Sequence, residues 1–180
     1  MTNKQEHITV QVKVHPALKE YILAINEGSD TIVPEKDSRL WGTVRQYLET
    51  IPADYTPQPL SSIPENVIQV ALLNGYHRIW DIKKKRLTAM NPLFRCHLSP
   101  KGQRAIARYL MADFKHTFRA YMTGAISNNP DLSITDAIDE FCTDYKITMQ
   151  QLTMDLLRKD WYRWRQKGKE EEKAPSAWQN

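Results

Sequence analysis

The sequence predicts an α+β protein, mostly helical, in which a small sheet of two or three short strands packs against five helices. Three observations carry this. Ile8–His15 and Leu93–Leu98 alternate apolar and polar residues with a period of two, the pattern of half-buried strands. Val67–Leu73 is a near-continuous apolar run of strand length, suited to burial on both faces. Five further stretches place apolar residues at helical spacing.

Taken in order, Ile8, Val10, Val12 and Val14 form one face of the first strand, with Thr9, Gln11, Lys13 and His15 on the other. Pro16 ends the ladder and suits the first turn of a helix, which runs from Ala17 to about Asn26 on Leu18, Tyr21, Ile22 and Ile25, with Gly28 closing it. Thr31–Lys36 reads as a loop around Pro34. Ser38 caps a second helix, expected through about Thr50, whose stripe is Leu40, Trp41, Val44, Tyr47 and Leu48. Pro52, Pro57, Pro59 and Pro64 make the next segment an extended crossing, because proline neither continues a helix nor donates to a ladder. Asn74-Gly75 marks a turn; Ile79, Trp80 and Ile82 suggest a short strand or turn, with Lys83–Arg86 its solvated tip.

Ser99-Pro100 opens the longest helix, to about Ala125, on Ile106, Tyr109, Leu110, Phe114, Phe118, Tyr121 and Met122. Ser133 with Asp136 three positions on resembles a capping box for a helix to about Tyr145, and Thr148 with Gln151 a second one for a helix to about Lys167. The chain reads as a single domain with a strand–helix–helix part at 1–50, a Pro-rich crossing at 51–64, strands and helices at 65–168, and a flexible tail at 169–180.

Composition narrows the function classes. Hydrophobic content of 41% and charged content of 26% over 180 residues exclude collagen-like and wholly disordered chains. No apolar run reaches the roughly 18 residues that cross a bilayer, so no membrane role is expected. Met1–His15 lacks the pattern of a signal peptide, and two cysteines set among apolar neighbours read as reduced core thiols; the expected compartment is cytoplasmic.

The net charge of +4 is unevenly placed. Residues 1–75 hold 6 Lys/Arg against 9 Asp/Glu, residues 76–119 hold 11 against 2, and residues 120–180 hold 8 against 10. The excess therefore sits in the middle quarter: Arg78, Lys83, Lys84, Lys85, Arg86, Arg95, Lys101, Arg104 and Arg108, with Lys115 and Arg119. Localised positive charge attracts polyanions, and each neutralised phosphate releases counterions. The expected partner is DNA or another polyanion.

Aligning Pro16 with Pro100 pairs Val10 with Phe94, Val12 with Cys96 and Val14 with Leu98, and outward Gln11 with Arg95 and Lys13 with His97. Strand–proline–helix–helix over residues 8–50 resembles the ribbon-helix-helix DNA-binding proteins, with a fainter echo at 93–125. The resemblance implies a two-stranded ribbon in the major groove, read by Gln11, Lys13 and Arg95, with Thr9 and His97 beside them. That family pairs strands from separate chains, so an oligomer, or a pairing of residues 8–15 with 93–98 inside one chain, would follow.

Ser133–Tyr145, a tight turn and Thr148–Lys167 have the outline of a helix-turn-helix, in which Gln150, Gln151 and Thr153 would face bases and Arg158, Lys159, Arg163 and Arg165 phosphates. Acidic residues surround that entry, so a helical hairpin packed on the core is the simpler reading. In Trp161-Tyr162-Arg163-Trp164-Arg165, helical spacing with Leu157 puts both tryptophans toward the core and leaves Tyr162, Arg163 and Arg165 for a partner.

No glycine-rich phosphate loop, Cys-x-x-Cys or His-Glu-x-x-His is present. Asp136, Asp139 and Glu140 could lie on one helix face and bind a hard cation, though acidic residues in a first turn usually complement the helix dipole. No cofactor, metal or catalytic residue is assigned. The expected function is non-catalytic nucleic-acid binding through residues 76–119; the competing class is a protein-interaction or assembly module.

Overall fold

Val10 and Val12 are buried on one side of strand β1 (Thr9–Lys13) while Lys13 is exposed, the outcome of period-two alternation at a sheet edge. The computed structural model describes residues 9–50, 66–73, 77–81, 86–90, 96–148 and 154–173. The architecture is α+β and mostly helical. Two compact units divide the chain, Met1–Ala112 and Asp113–Asn180.

In the first unit, β1 is followed by helix α1 (Pro16–Ile25), strand β2 (Thr31–Ile32), helix α2 (Arg39–Tyr47), and strands β3 (Leu48–Thr50), β4 (Val67–Ala71), β5 (His77–Asp81), β6 (Arg86–Met90) and β7 (Cys96–Leu98). Strand β4 is the centre of a three-stranded sheet, antiparallel to β1 with Gln11 opposite Gln69 and parallel to β2 with Ile32 opposite Val70. Val67, Ile68, Val70 and Ala71 are buried although consecutive strand residues point to opposite faces, so both faces of the sheet are covered at β4; Leu72, just beyond it, is buried too. Gln69, the one polar residue of that run, accepts a 2.8 Å hydrogen bond at Oε1 from Thr9 Oγ1.

The structure departs from expectation at three places here. Thr31–Ile32 is a strand because the neighbouring β4 ladder holds it, although two residues carry no periodicity of their own. Helix α2 stops at Tyr47, and Leu48–Thr50 turns into a strand facing Cys96–Leu98. Segment 96–98 is thus not the third strand of the β1–β4 sheet, and it does not pair with β1: Leu48 faces Leu98 and Thr50 faces Cys96. Strands β5 and β6 form an antiparallel hairpin with Asp81 opposite Arg86. Arg86, assigned to a solvated tip at Lys83–Arg86, is thus the first residue of β6, and Lys83, Lys84 and Lys85 lie outside the described residues.

Local chemistry sets the helix ends. Pro16 occupies the first turn of α1, and His15 Nδ1 accepts from the Ala17 amide at 3.3 Å. Gly28, at φ 87°, donates its amide to Leu23 O at 2.8 Å and closes the helix by the expected route. Ile25, assigned to the buried stripe of α1, lies at the last helical position and is exposed. Ser38 Oγ accepts from Trp41 N at 3.1 Å at the start of α2.

Helix α3 (Pro100–Asn128) runs through the boundary of the two units. The second unit adds α4 (Ile134–Asp144) and α5 (Met154–Lys173), the latter continuing past Lys167, where the helix was expected to end. Its core is built on Phe141, whose ring lies 5.1 Å from Phe118, 5.3 Å from Tyr121 and 4.7 Å from Tyr145. Burying each such ring contributes about 1.5–3 kcal/mol. Ser133 caps α4 as predicted, accepting from Asp136 N at 3.1 Å and donating to Asp136 Oδ2 at 2.7 Å. At the other end Lys146 N donates to Thr143 O and Ile147 N to Cys142 O, with Ile147 buried against the helix end. Gln151 of the second capping box lies outside the described residues. No helix among those described is long and apolar enough to cross a membrane.

Candidate nucleic-acid interface

The cationic face begins where α3 begins. Ser99 Oγ accepts from Gly102 N at 3.3 Å, and Gln103 Nε2 donates to Leu98 O at 3.2 Å, so the first turn is capped and its amide side chain is used internally. Gly102 is buried there: a Cβ at that position would stand 2.7 Å from Tyr47 Cβ and 3.1 Å from Leu98 Cδ1. This close approach holds one side of the helix against the end of α2 and β7. Lys101, Arg104 and Arg108, at i, i+3 and i+7, share the opposite side and are all exposed. None of the three makes an ion pair among the described residues.

The remaining sequence-assigned positions divide into three sets. Arg78 and Arg86 lie on the β5–β6 hairpin, in register with Ala89 and Asp81. Lys83, Lys84, Lys85 and Arg95 fall outside the described residues. On β1, Lys13 is exposed and Gln11 is half-buried in the ladder. The ribbon that would set Lys13 and Gln11 beside Arg95 is not formed, since β1 pairs with β4.

Lys115 and Arg119 belong to the counted excess but are not available to a polyanion. Lys115 Nζ donates to Asp160 Oδ1 at 2.8 Å, and Arg119 donates Nε to Oδ2 at 2.9 Å and Nη2 to Oδ1 at 3.1 Å. Burial alone would push the Asp160 carboxyl up; the bonds from Arg119 and Lys115 and their charges outweigh it and hold the group below the usual carboxylate range. The sequence contained one sign of this. Asp160 sits in the same helical stripe as Leu157, Trp161 and Trp164, and a carboxylate there calls for a cation.

Midway along α5, Trp161 is 2% exposed as expected, whereas Trp164 is 38% exposed rather than core. It lies where the helix leaves the packed part of the unit, its ring 5.2 Å from Trp161 and 6.0 Å from the Arg119 guanidinium. Tyr162, Arg163 and Arg165 are exposed, and Arg165 lies 5.7 Å over the Trp161 ring. Arg158 is held by Thr135 Oγ1 at 2.9 Å and by Asp155 at 3.6 Å, while Gln150, Gln151 and Thr153 lie outside the described residues.

Asp136, Asp139 and Glu140, singled out from the sequence as sharing one helix face, line an acidic groove of about 450 Å³ together with Tyr121, Thr143 and Asp144, which the sequence did not connect to them. Tyr121 donates to Asp144 Oδ2 at 2.9 Å; burial, that bond and the nearby carboxylates push its phenol up to about 12, so it stays neutral. Burial likewise pushes the Cys142 thiol up to about 11, which makes it inert as a nucleophile. Among the described residues no group of three or more His, Cys, Asp or Glu is placed to hold a metal ion. Comparison of the chain with protein-family models, with curated proteins and with solved structures found no match in any of the three.

Proposed function

We propose that this chain is a cytoplasmic, non-catalytic nucleic-acid-binding protein, with DNA as its ligand, which uses the basic face of residues 76–119. The observation that supports it is the row Lys101, Arg104 and Arg108, exposed on one side of α3 and without ion pairs among the described residues. Seven residues of helix place these cations along about 10 Å, a span over which duplex DNA presents several phosphates. On this reading Arg78 and Arg86, assigned from the sequence, would add charge, and Lys13 with Gln11 would be the contribution of a ribbon-helix-helix-like strand.

The test is a titration of duplex DNA with the full chain at several salt concentrations. Three phosphate contacts predict a slope of log affinity against log salt near −2.7 for the α3 row alone. Replacing Arg104 and Arg108 by Ser should flatten the slope by about 2 and weaken binding equally for unrelated sequences. Unchanged affinity in that variant would remove the α3 row from the interface.

A second reading, a protein-interaction module, is favoured by the exposure of Tyr162 (53%) and Trp164 (38%) on either side of Arg163. A protein contact anchored on those aromatics would tolerate salt that strips a polyanion.

A further inference from the structure

Helices α4 and α5 each carry a row of like charges at matching spacing. Asp136, Glu140 and Asp144 follow at i, i+4 and i+8 on α4 and are all exposed, with Asp139 beside them in the acidic groove. Lys159, Arg163 and Lys167 repeat i, i+4 and i+8 on α5 and are likewise exposed. Both rows are about 12 Å long at the rise of an α-helix.

The two helices pack on each other, yet the rows are not spent on one another. Between Met154 and Gly168, the ion pairs of α5 among the described residues are Asp160 with Lys115 and Arg119, and Arg158 with Asp155. Among the described residues up to Gly168, none of the six row residues has an opposite charge within ion-pair distance. The basic row is flanked by two exposed large side chains, Leu156 at 52% and Tyr162 at 53%. An exposed helix face that combines cations with apolar side chains is suited to a structured acidic surface.

We propose that the basic face of α5 docks on the acidic groove of α4 in a second copy of this chain. The charge pattern favours this occupant over a polyanion at α5. Nucleic acid would meet the carboxylates of α4 in the same small unit, whereas a second copy brings cations to the carboxylates and carboxylates to the cations. Each molecule carries both halves of the contact, so association closes as a pair or ring or continues as a chain. This inference is independent of the α3 row, which lies in the first unit.

The experiment is sedimentation of the full chain at about 50 mM and about 500 mM NaCl, conditions that change the screening length roughly threefold. At low salt the mass should exceed the 21.0 kDa of one chain, and at high salt it should fall back to that value. Two charge-reversed variants carry the proposal: Asp139→Lys with Glu140→Lys, and Lys159→Glu with Arg163→Glu. None of these four side chains makes an intramolecular bond among the described residues, so the Ser133–Asp136 cap and the Tyr121–Asp144 bond stay intact. Each variant alone should sediment as a single chain at low salt. Mixed in equal amounts they should associate again, since one then presents two basic faces and the other two acidic ones.

Circular dichroism establishes that both variants fold. Should either fail to fold, Glu140→Gln and Arg163→Gln replace them, each expected to weaken self-association several-fold. A wild-type chain at 21.0 kDa in low salt would overturn the proposal. So would an assembly indifferent to both variants, or mixed variants that stay apart. Loss of DNA binding by the Lys159→Glu, Arg163→Glu variant of a monomeric protein would give the α5 row to a polyanion instead.

Discussion

Arg119 grips Asp160 with two parallel hydrogen bonds, Nε to Oδ2 at 2.9 Å and Nη2 to Oδ1 at 3.1 Å, and so ties α3 to α5 in the second unit. Two-pronged geometry of this kind is stronger than a single surface ion pair. Lys115 adds a third bond to the same carboxylate, whose side chain is only 14% exposed.

Replacing Asp160 by Asn should therefore destabilise the protein by about 1–3 kcal/mol, because it leaves two cations facing a neutral group in a partly buried site. The pH dependence follows from the lowered carboxyl. Its stabilisation is fully present above the unfolded value of about 3.9 and is lost as pH falls through the lower folded value. Urea melts of both proteins between neutral pH and pH 2 check this. The gap between parent and variant should narrow as acid protonates Asp160, and a gap that stays constant would contradict the assignment.

Gly102 yields a second prediction. Its missing Cβ would stand 2.7 Å from Tyr47 Cβ, an atom next to the backbone that cannot swing aside. Gly102→Ala should cost about 1–3 kcal/mol by overpacking, despite alanine's better helix propensity. Denaturant midpoints decide the sign. A stabilised variant would mean that α3 does not approach α2 so closely.

A third concerns Lys146, which ends α4 at φ 52°, a left-handed conformation that glycine adopts without penalty. Lys146→Gly should stabilise the second unit by up to about 1 kcal/mol, read as a rise in melting temperature. A fall would show that the lysine side chain contributes to the fold in a way its exposed position does not suggest.

What the sequence revealed follows from how far each interaction reaches. The Ser133–Asp136 cap and the Ser38 cap are local, spanning three residues, and both were legible. So was the two-sided burial of Val67–Ala71, which its own composition demands. The switch from helix to strand at Leu48 was not, since its cause is Leu98, far along the chain. Nor was the loss of Lys115 and Arg119 from the basic face, decided by a carboxylate 41 and 45 residues away. Charge counting located the middle quarter, but it could not say which cations are already engaged. Lys101, Arg104 and Arg108 come through because one helix turns them outward together.

The placement of β4 between β1 and β2 has a consequence for biosynthesis. Thr9 and Gln69, joined diagonally by a side-chain bond across the finished sheet, are 60 residues apart. At about 5–20 residues per second a ribosome needs several seconds to make that stretch. Throughout that interval Val10 and Val12 have no strand to cover them, and their closure must wait for a long loop to form. Newly made chains should thus be most vulnerable to aggregation, and most in need of a chaperone, before Val67–Ala71 emerges.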